Sequence, residues 1–200
     1  MMKKVMNPIL KKSSFDTRFI IKTALAYCIL SMAFSFAGIF LAEKGPVPNP
    51  VGSLTIQEVA GHFVWGLVAG AVTLSLRYVI LTGLFAVLID SDHIIGLTHI
   101  DALVRMSHSI SFGIISVLVL MVLFGKRDYR LGAAAMAGLL SHLSFDTFAG
   151  DDGKFPIFTP FYNHQISFAH IDWLYFELAA IMLVGIVTII MKKDMVQKTV

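Results

Sequence analysis

Charge and cysteine are both scarce in this chain of 200 residues. Asp, Glu, Lys and Arg make up 14% of it, against about a quarter in an ordinary soluble domain. So little charge excludes a water-facing globule. The one cysteine, Cys28, lies inside an apolar run, which excludes an intramolecular disulfide. A net charge of +3 is too small to mark a nucleic-acid surface. No internal repeat and no low-complexity segment is present. Apolar residues are abundant, at 56% of the chain with a mean hydropathy of +0.78. Only helices and closed barrels satisfy their backbone groups inside a bilayer. The long apolar runs therefore predict an all-α, polytopic membrane helix bundle, a single domain over residues 1–200.

Lysine and arginine set the expected orientation. Lys3, Lys4, Lys11, Lys12, Arg18 and Lys22 face a single acid, Asp16, near the start. Under the positive-inside rule, residues 1–18 form a cytoplasmic basic tail. The apolar run from Phe19 to Ala42 is longer than the roughly 7–15 residues of a signal-peptide core, so a retained first span is expected. The Pro- and Gly-rich stretch from Glu43 to Ser53 reads as an outer loop. Further spans are expected over Ile56–Leu76, Tyr78–Ile89, Ser109–Phe124, Leu131–Phe145 and Trp173–Met191. Asp90–Ser107 and Thr147–Ile171 would be outer segments. About six spans with both termini cytoplasmic place all but three of the sixteen Lys and Arg inside. The exceptions are Lys44, Arg105 and Lys154.

The histidines were not used in that assignment, yet all seven (62, 93, 99, 108, 142, 164 and 170) fall on the outer side. At ~1.5 Å of rise per residue, His142 stands ~18 Å above Arg130 and Asp90 ~20 Å above Arg77. His62 lies at a similar height, and His108 somewhat higher. Ionisable groups at such depth are costly unless they pair, bind metal or line a wet cavity.

His142 and Asp146, in Ser-His-Leu-Ser-Phe-Asp, are four apart and share one helix face. An imidazole and a carboxylate so placed can hold one metal ion together. Leu88-Ile-Asp-Ser-Asp-His93 gathers Asp90, Asp92 and His93 at a helix end, and adjacent acids repel without a cation between them. His62, in Gly-His-Phe-Val-Trp-Gly, opens the second span. Glu58, one turn earlier, suits either a supporting role or a first-turn acid. His108, in Arg-Met-Ser-His-Ser, opens the fourth span. Arg105 beside it suits an anion clamp or, equally, a pair with Asp101. His170 and Asp172 could close the site, and Glu177 could face the same cavity. Asp151-Asp152-Gly-Lys154 reads as a turn without a role.

In this order the elements resemble the YdjM-type family of predicted inner-membrane metal-dependent hydrolases. The resemblance covers about residues 58–165. His62 resembles that family's early histidine, and Asp90, Asp92 and His93 its Pro-Asp-x-Asp-His element. Arg105 to Ser109 resembles its Thr-His-Ser element, and Ser141, His142 and Asp146 its Ser-His-x-x-x-Asp element. Pro160-Phe161 follows as in the family. Ile89 stands where the family has proline and Ser107 where it has threonine. Val-Arg-Met replaces His-Arg-Gly, removing a polar group for which His99 could substitute. The resemblance implies a multi-pass inner-membrane enzyme, distantly similar to zinc-dependent phospholipases C.

The combined expectation is a membrane-embedded, metal-dependent hydrolase of a phosphoester, with its site facing the extracytoplasmic side. His62, Asp90, Asp92, His93, His108, His142 and Asp146 are the expected metal ligands, for zinc or else manganese. Asp92, Arg105 and Asp146 are the expected catalytic residues. A recessed site at this depth suits a phospholipid or a lipid-linked phosphate as substrate. Two other classes use the same residues: a metal-ion or proton transporter, and a non-enzymatic membrane protein with a structural metal.

Overall fold

The computed structural model describes residues 8–41, 55–103, 105–125, 128–150 and 153–197. The expected outer loop Glu43–Ser53 and the Asp151-Asp152 pair lie outside the described residues, as do Lys126 and Arg127. The described chain is mostly helical. Its α-helices are α1 (Pro8–Phe36), α2 (Ile56–Ala71), α3 (Leu76–Leu88), α4 (Ile110–Phe124), α5 (Tyr129–Ala149) and α6 (Trp173–Gln197). Three helical stretches are long and apolar enough to cross a membrane: Asp16–Phe40, Leu76–Thr98 and His170–Lys192.

Two boundaries differ from the sequence reading in ways that matter for the site. Asp90–Ser107 is not an open polar loop. Its first part continues α3 as a 3-10 helix over Ile89–Thr98, with Asp90 and Asp92 buried. The composition looked polar because this stretch carries Asp90, Asp92 and His93, but the two carboxylates turn inward. The fifth helix is also longer than expected, reaching Ala149, so Asp146 lies within it and shares a face with His142.

Capping chemistry fixes the helix starts. Thr55 and Glu58 form a reciprocal box at the start of α2, which satisfies two backbone donors at once. The Ser109 hydroxyl accepts from the Phe112 amide at the start of α4. The Asp128 carboxylate accepts from the Leu131 amide at the start of α5. Asp128 also accepts from the Tyr78 hydroxyl at 2.6 Å. Arg77 lies 3.7 Å from Asp128 and 3.8 Å from Asp16. This cluster ties α1, α3 and α5 together at the end opposite the histidines.

The core forms around α5. Glycines bring α2 against α3: a Cβ on Gly66 would lie 2.6 Å from the Thr82 carbonyl oxygen. Gly138 does the same for α5 and α3, where a Cβ would lie 2.6 Å from the Cβ of Phe85. Such close approach by small residues is how helices associate where lipid removes the hydrophobic drive. Tyr27 of α1 stacks on Phe85 at 4.4 Å and meets Phe112 edge-on at 5.3 Å. A short hairpin pairs β1 (Lys154–Phe155) with β2 (Ile166–Ser167) antiparallel. It buries Phe155 fully against the site.

Candidate metal centre

Four segments distant in sequence bring their polar groups to one place. His62 comes from α2, and Asp90, Asp92 and His93 from the 3-10 turn after α3. Arg105 and His108 come from the stretch before α4, and His142 and Asp146 from α5. Three groups of donor atoms form there: His62, His142 and Asp146; Asp90, His108 and His142; and Asp90, Asp92 and His93. All seven ligands expected from the sequence belong to at least one group.

The clearest indication of a cation is a pair of nitrogens. His142 Nδ1 lies 2.7 Å from the Ala86 carbonyl oxygen. A carbonyl only accepts, so Nδ1 carries the hydrogen and Nε2 a lone pair. The Ser107 hydroxyl donates to Asp92 Oδ2 at 2.7 Å, which leaves Ser107 Oγ to accept from His108 Nδ1 at 3.3 Å. His108 Nε2 then also carries a lone pair. The two Nε2 atoms are 2.8 Å apart. At that distance the two nitrogens share a cation, either a proton in a hydrogen bond or a metal ion that draws them slightly apart.

The surrounding distances suit a divalent ion. Asp90 Oδ1 is 3.5 Å from His142 Nε2 and 3.7 Å from His108 Nε2. His62 Nε2 is 3.3 Å from Asp146 Oδ1, and His142 Nε2 is 3.5 Å from Asp146 Oδ2. His93 Nε2 is 3.3 Å from Asp90 Oδ1 and 3.9 Å from Asp92 Oδ1. Donors around a tetrahedral ion with ~2.0–2.1 Å bonds lie about 3.3 Å apart. Asp92 Oδ1 is buried and has no hydrogen-bond partner, so a free carboxylate oxygen faces the cluster. The residues present therefore fit a metal ion. His142 has one nitrogen to offer and its two groups compete for it, whereas Asp90 has two oxygens and can bridge.

The ligands are held from behind by groups the sequence reading did not single out. The Ser35 hydroxyl of α1 donates to Asp92 Oδ2 at 3.2 Å and accepts from the Ser107 amide at 3.0 Å. The Ser31 hydroxyl reaches the Ile89 carbonyl at 2.7 Å, and Ser91 reaches back to the Cys28 carbonyl at 3.1 Å. Serines at i and i+4 on α1 carry this signal, Ser31 and Ser35, but the apolar residues around them mask it. His62 stacks on His142 with ring centres 4.0 Å apart. Phe155 lies parallel to the His108 ring at 6.0 Å.

Arg105 does not pair with Asp101. Its guanidinium reaches Asp146 Oδ2 at 3.4 Å, turned there by a left-handed backbone at φ 59°. That conformation costs a non-glycine residue about 1–3 kcal/mol and is common at functional sites. A cavity of about 440 Å³ opens beside this pair, lined by Glu58, Arg105, Phe145 and Asp146. Glu58 is thus both a helix-capping acid and a wall of the cavity.

Other expected participants lie elsewhere. His99 is exposed and belongs to none of the three groups, so it does not replace the missing polar residue. His170 is exposed and packs against Phe148, and Asp172 accepts from the Ala169 amide to cap a turn. Neither closes the site. Glu177 is buried beside the hydroxyls of Ser141 and Ser144 on α5, with neither oxygen in a well-formed hydrogen bond. Phe161 is 89% exposed, and Phe155 takes the contact with the site instead.

No protein-family model, curated protein or solved structure matches this chain.

Proposed function

We propose that this protein is a metal-dependent hydrolase embedded in the cell (inner) membrane, acting on a phosphoester of a phospholipid or lipid-linked substrate. It would cross the membrane about six times with both termini in the cytoplasm, and its site would open to the extracytoplasmic face. The resemblance to the YdjM-type family belongs to the same proposal. The observation that carries it is the facing pair of histidine lone pairs within a cluster of three carboxylates. The three donor groups around that pair suit divalent ions, zinc foremost and manganese otherwise, and the bridging capacity of Asp90 suits two of them.

A divalent ion held there supplies Lewis acidity toward a phosphoryl oxygen and makes water more acidic. The chain's own residues do the rest. Arg105 faces the cavity with a planar fork of donors that matches phosphoryl oxygens, and it stabilises charge that grows on them as water attacks phosphorus. Asp146, on the same cavity wall, accepts the proton that water loses. The bond between phosphorus and the leaving oxygen breaks, and the proton held by Asp146 passes to that oxygen, which leaves Asp146 ionised again. Asp92, fixed by Ser35 and Ser107, holds the far side of the cluster in register.

Two features favour hydrolysis over the alternatives. Hydroxyls on the inner halves of the helices are engaged by their own backbone: Thr73 with Gly70, Thr82 with Tyr78, and Ser116 with Gly113. They offer little to an ion path toward the cytoplasm. The cavity beside Asp146 leaves room for a substrate group, which a closed structural metal would not need.

The test is a screen of phospholipids and lipid pyrophosphates with protein purified in the presence of zinc or manganese. Release of phosphate or of a phosphorylated headgroup is expected, with the rate falling about 100-fold or more in Arg105→Ala. Metal-loaded protein that hydrolyses none of these substrates, or an unaffected Arg105→Ala rate, would refute the reading.

A further inference from the structure

The cavity of about 440 Å³ beside the metal centre has walls of opposite sign. Arg105 and Asp146 line it where it meets the ligands, and Glu58 and Gln57 line it at the start of α2. Gln57 is exposed and Glu58 half-buried, so the cavity runs from the surface to Asp146. Glu58 and Arg105 do not neutralise each other across it. The guanidinium pairs with Asp146 instead. Glu58 Oε2 accepts from the Thr55 amide at 3.3 Å, and among the described residues the carboxylate has no basic partner. The helix cap thus engages one Glu58 oxygen and leaves the negative charge to the cavity.

The spacing of the two ends follows from α2. Glu58 precedes the ligand His62 by one turn, about 6 Å along the axis, and His62 Nε2 lies 3.3 Å from Asp146 Oδ1. A group that places an anion at Arg105 therefore meets a carboxylate about one helix turn away. An aminoethyl phosphate has that form. Its phosphorus and nitrogen are joined through an O–C–C link, whose bonds of ~1.5 Å give a similar reach.

We infer that this cavity seats a phospholipid headgroup with a primary ammonium beside its phosphate, and that Glu58 selects it. This rests on the proposed function and names the substrate class within it. A primary ammonium has three N–H donors, which the Glu58 carboxylate and the Gln57 side-chain carbonyl accept. A quaternary ammonium is typically held in a cage of aromatic rings. Phe145 is the single aromatic side chain lining this cavity among the described residues, so the walls favour the primary amine. A headgroup ending in a hydroxyl leaves the carboxylate without a cation.

The first arm of the test compares two lipids with the same chains in neutral detergent micelles: phosphatidylethanolamine, and its analogue with a hydroxyl in place of the ammonium. Wild type is expected to favour the amine at least tenfold in kcat/KM. Glu58→Gln keeps the capping box, which accepts either Glu or Gln, and is expected to bring the ratio close to one. No preference in wild type, or a preference that survives in Glu58→Gln, would overturn the inference. The second arm needs no turnover. Calorimetry measures binding of 3-aminopropylphosphonate and 3-hydroxypropylphosphonate, in which a methylene replaces the ester oxygen, to zinc-supplied protein. The amine is expected to bind at least tenfold more tightly to wild type, and the two equally to Glu58→Gln. Equal binding to wild type, or binding of neither, would overturn the inference. If no lipid is hydrolysed but the amine binds with this dependence on Glu58, the hydrolase reading fails and the headgroup seat stands. If lipids are hydrolysed without it, the seat fails and the hydrolase reading stands.

Discussion

At the scale of single residues, the site depends on which atoms have no partner of their own. His142 and His108 are each turned by a hydrogen bond at Nδ1, so that Nε2 points inward. Such outer partners usually fix both the tautomer and the basicity of a metal-binding histidine. Ser35 plays the corresponding part for Asp92. Ser35→Ala removes one hydroxyl from Asp92 Oδ2 and is expected to weaken zinc binding about 10- to 100-fold, with helix content unchanged. Competition with a chelator of known affinity measures this, and an unchanged affinity would mean that Asp92 is positioned without α1. The sequence showed the clustering residues well, because ionisable side chains in apolar runs are conspicuous. It did not show Ser35, because a serine in a membrane helix more often bonds its own backbone. It also left Arg105 undecided between Asp101 and a ligand. The choice depends on a left-handed turn at Arg105 that periodicity does not encode.

At the scale of elements, the centre is only as precise as the packing of α5 on α3. Gly138 lies one turn before His142, and its missing side chain lets α5 approach Phe85 and Ala86. Ala86 supplies the carbonyl that orients His142. Gly138→Val would force the helices apart, an overpacking that costs about 1–3 kcal/mol. The expected result is a lower melting temperature in detergent together with loss of tight metal binding. Retention of wild-type metal affinity would show that α3 and α5 do not set the site's spacing. The helices themselves were legible from their apolar runs and basic flanks. The 3-10 continuation after α3 was not. Its polar residues resemble a loop, and only their burial against α1 and α5 reveals an ordered turn.

At the scale of the whole molecule, polarity is divided between two ends. The histidines and most buried acids gather at one end, and Arg77, Asp16 and Asp128 tie the other. The six-span reading places the histidine end outside. It predicts that Phe161→Cys, in a Cys28→Ala background, reacts with a membrane-impermeant maleimide added outside intact cells, and that Lys192→Cys does not. The reverse pattern would invert the topology and place the site in contact with the cytoplasm. The basic flanks are the ground for expecting this orientation, since Lys and Arg favour the cytoplasmic side. The convergence of four segments on one centre was only implied by their common height along the helices.

The measurement that bears most directly on the central claim is elemental analysis of detergent-purified protein, alongside His142→Ala and Asp92→Ala. The metal-centre account predicts zinc or manganese bound stoichiometrically in the wild type and lost in both variants, with all three proteins folded. Well-folded wild type that holds no metal, even after zinc and manganese are supplied, would contradict it. The paired lone pairs of His108 and His142 would then share a proton.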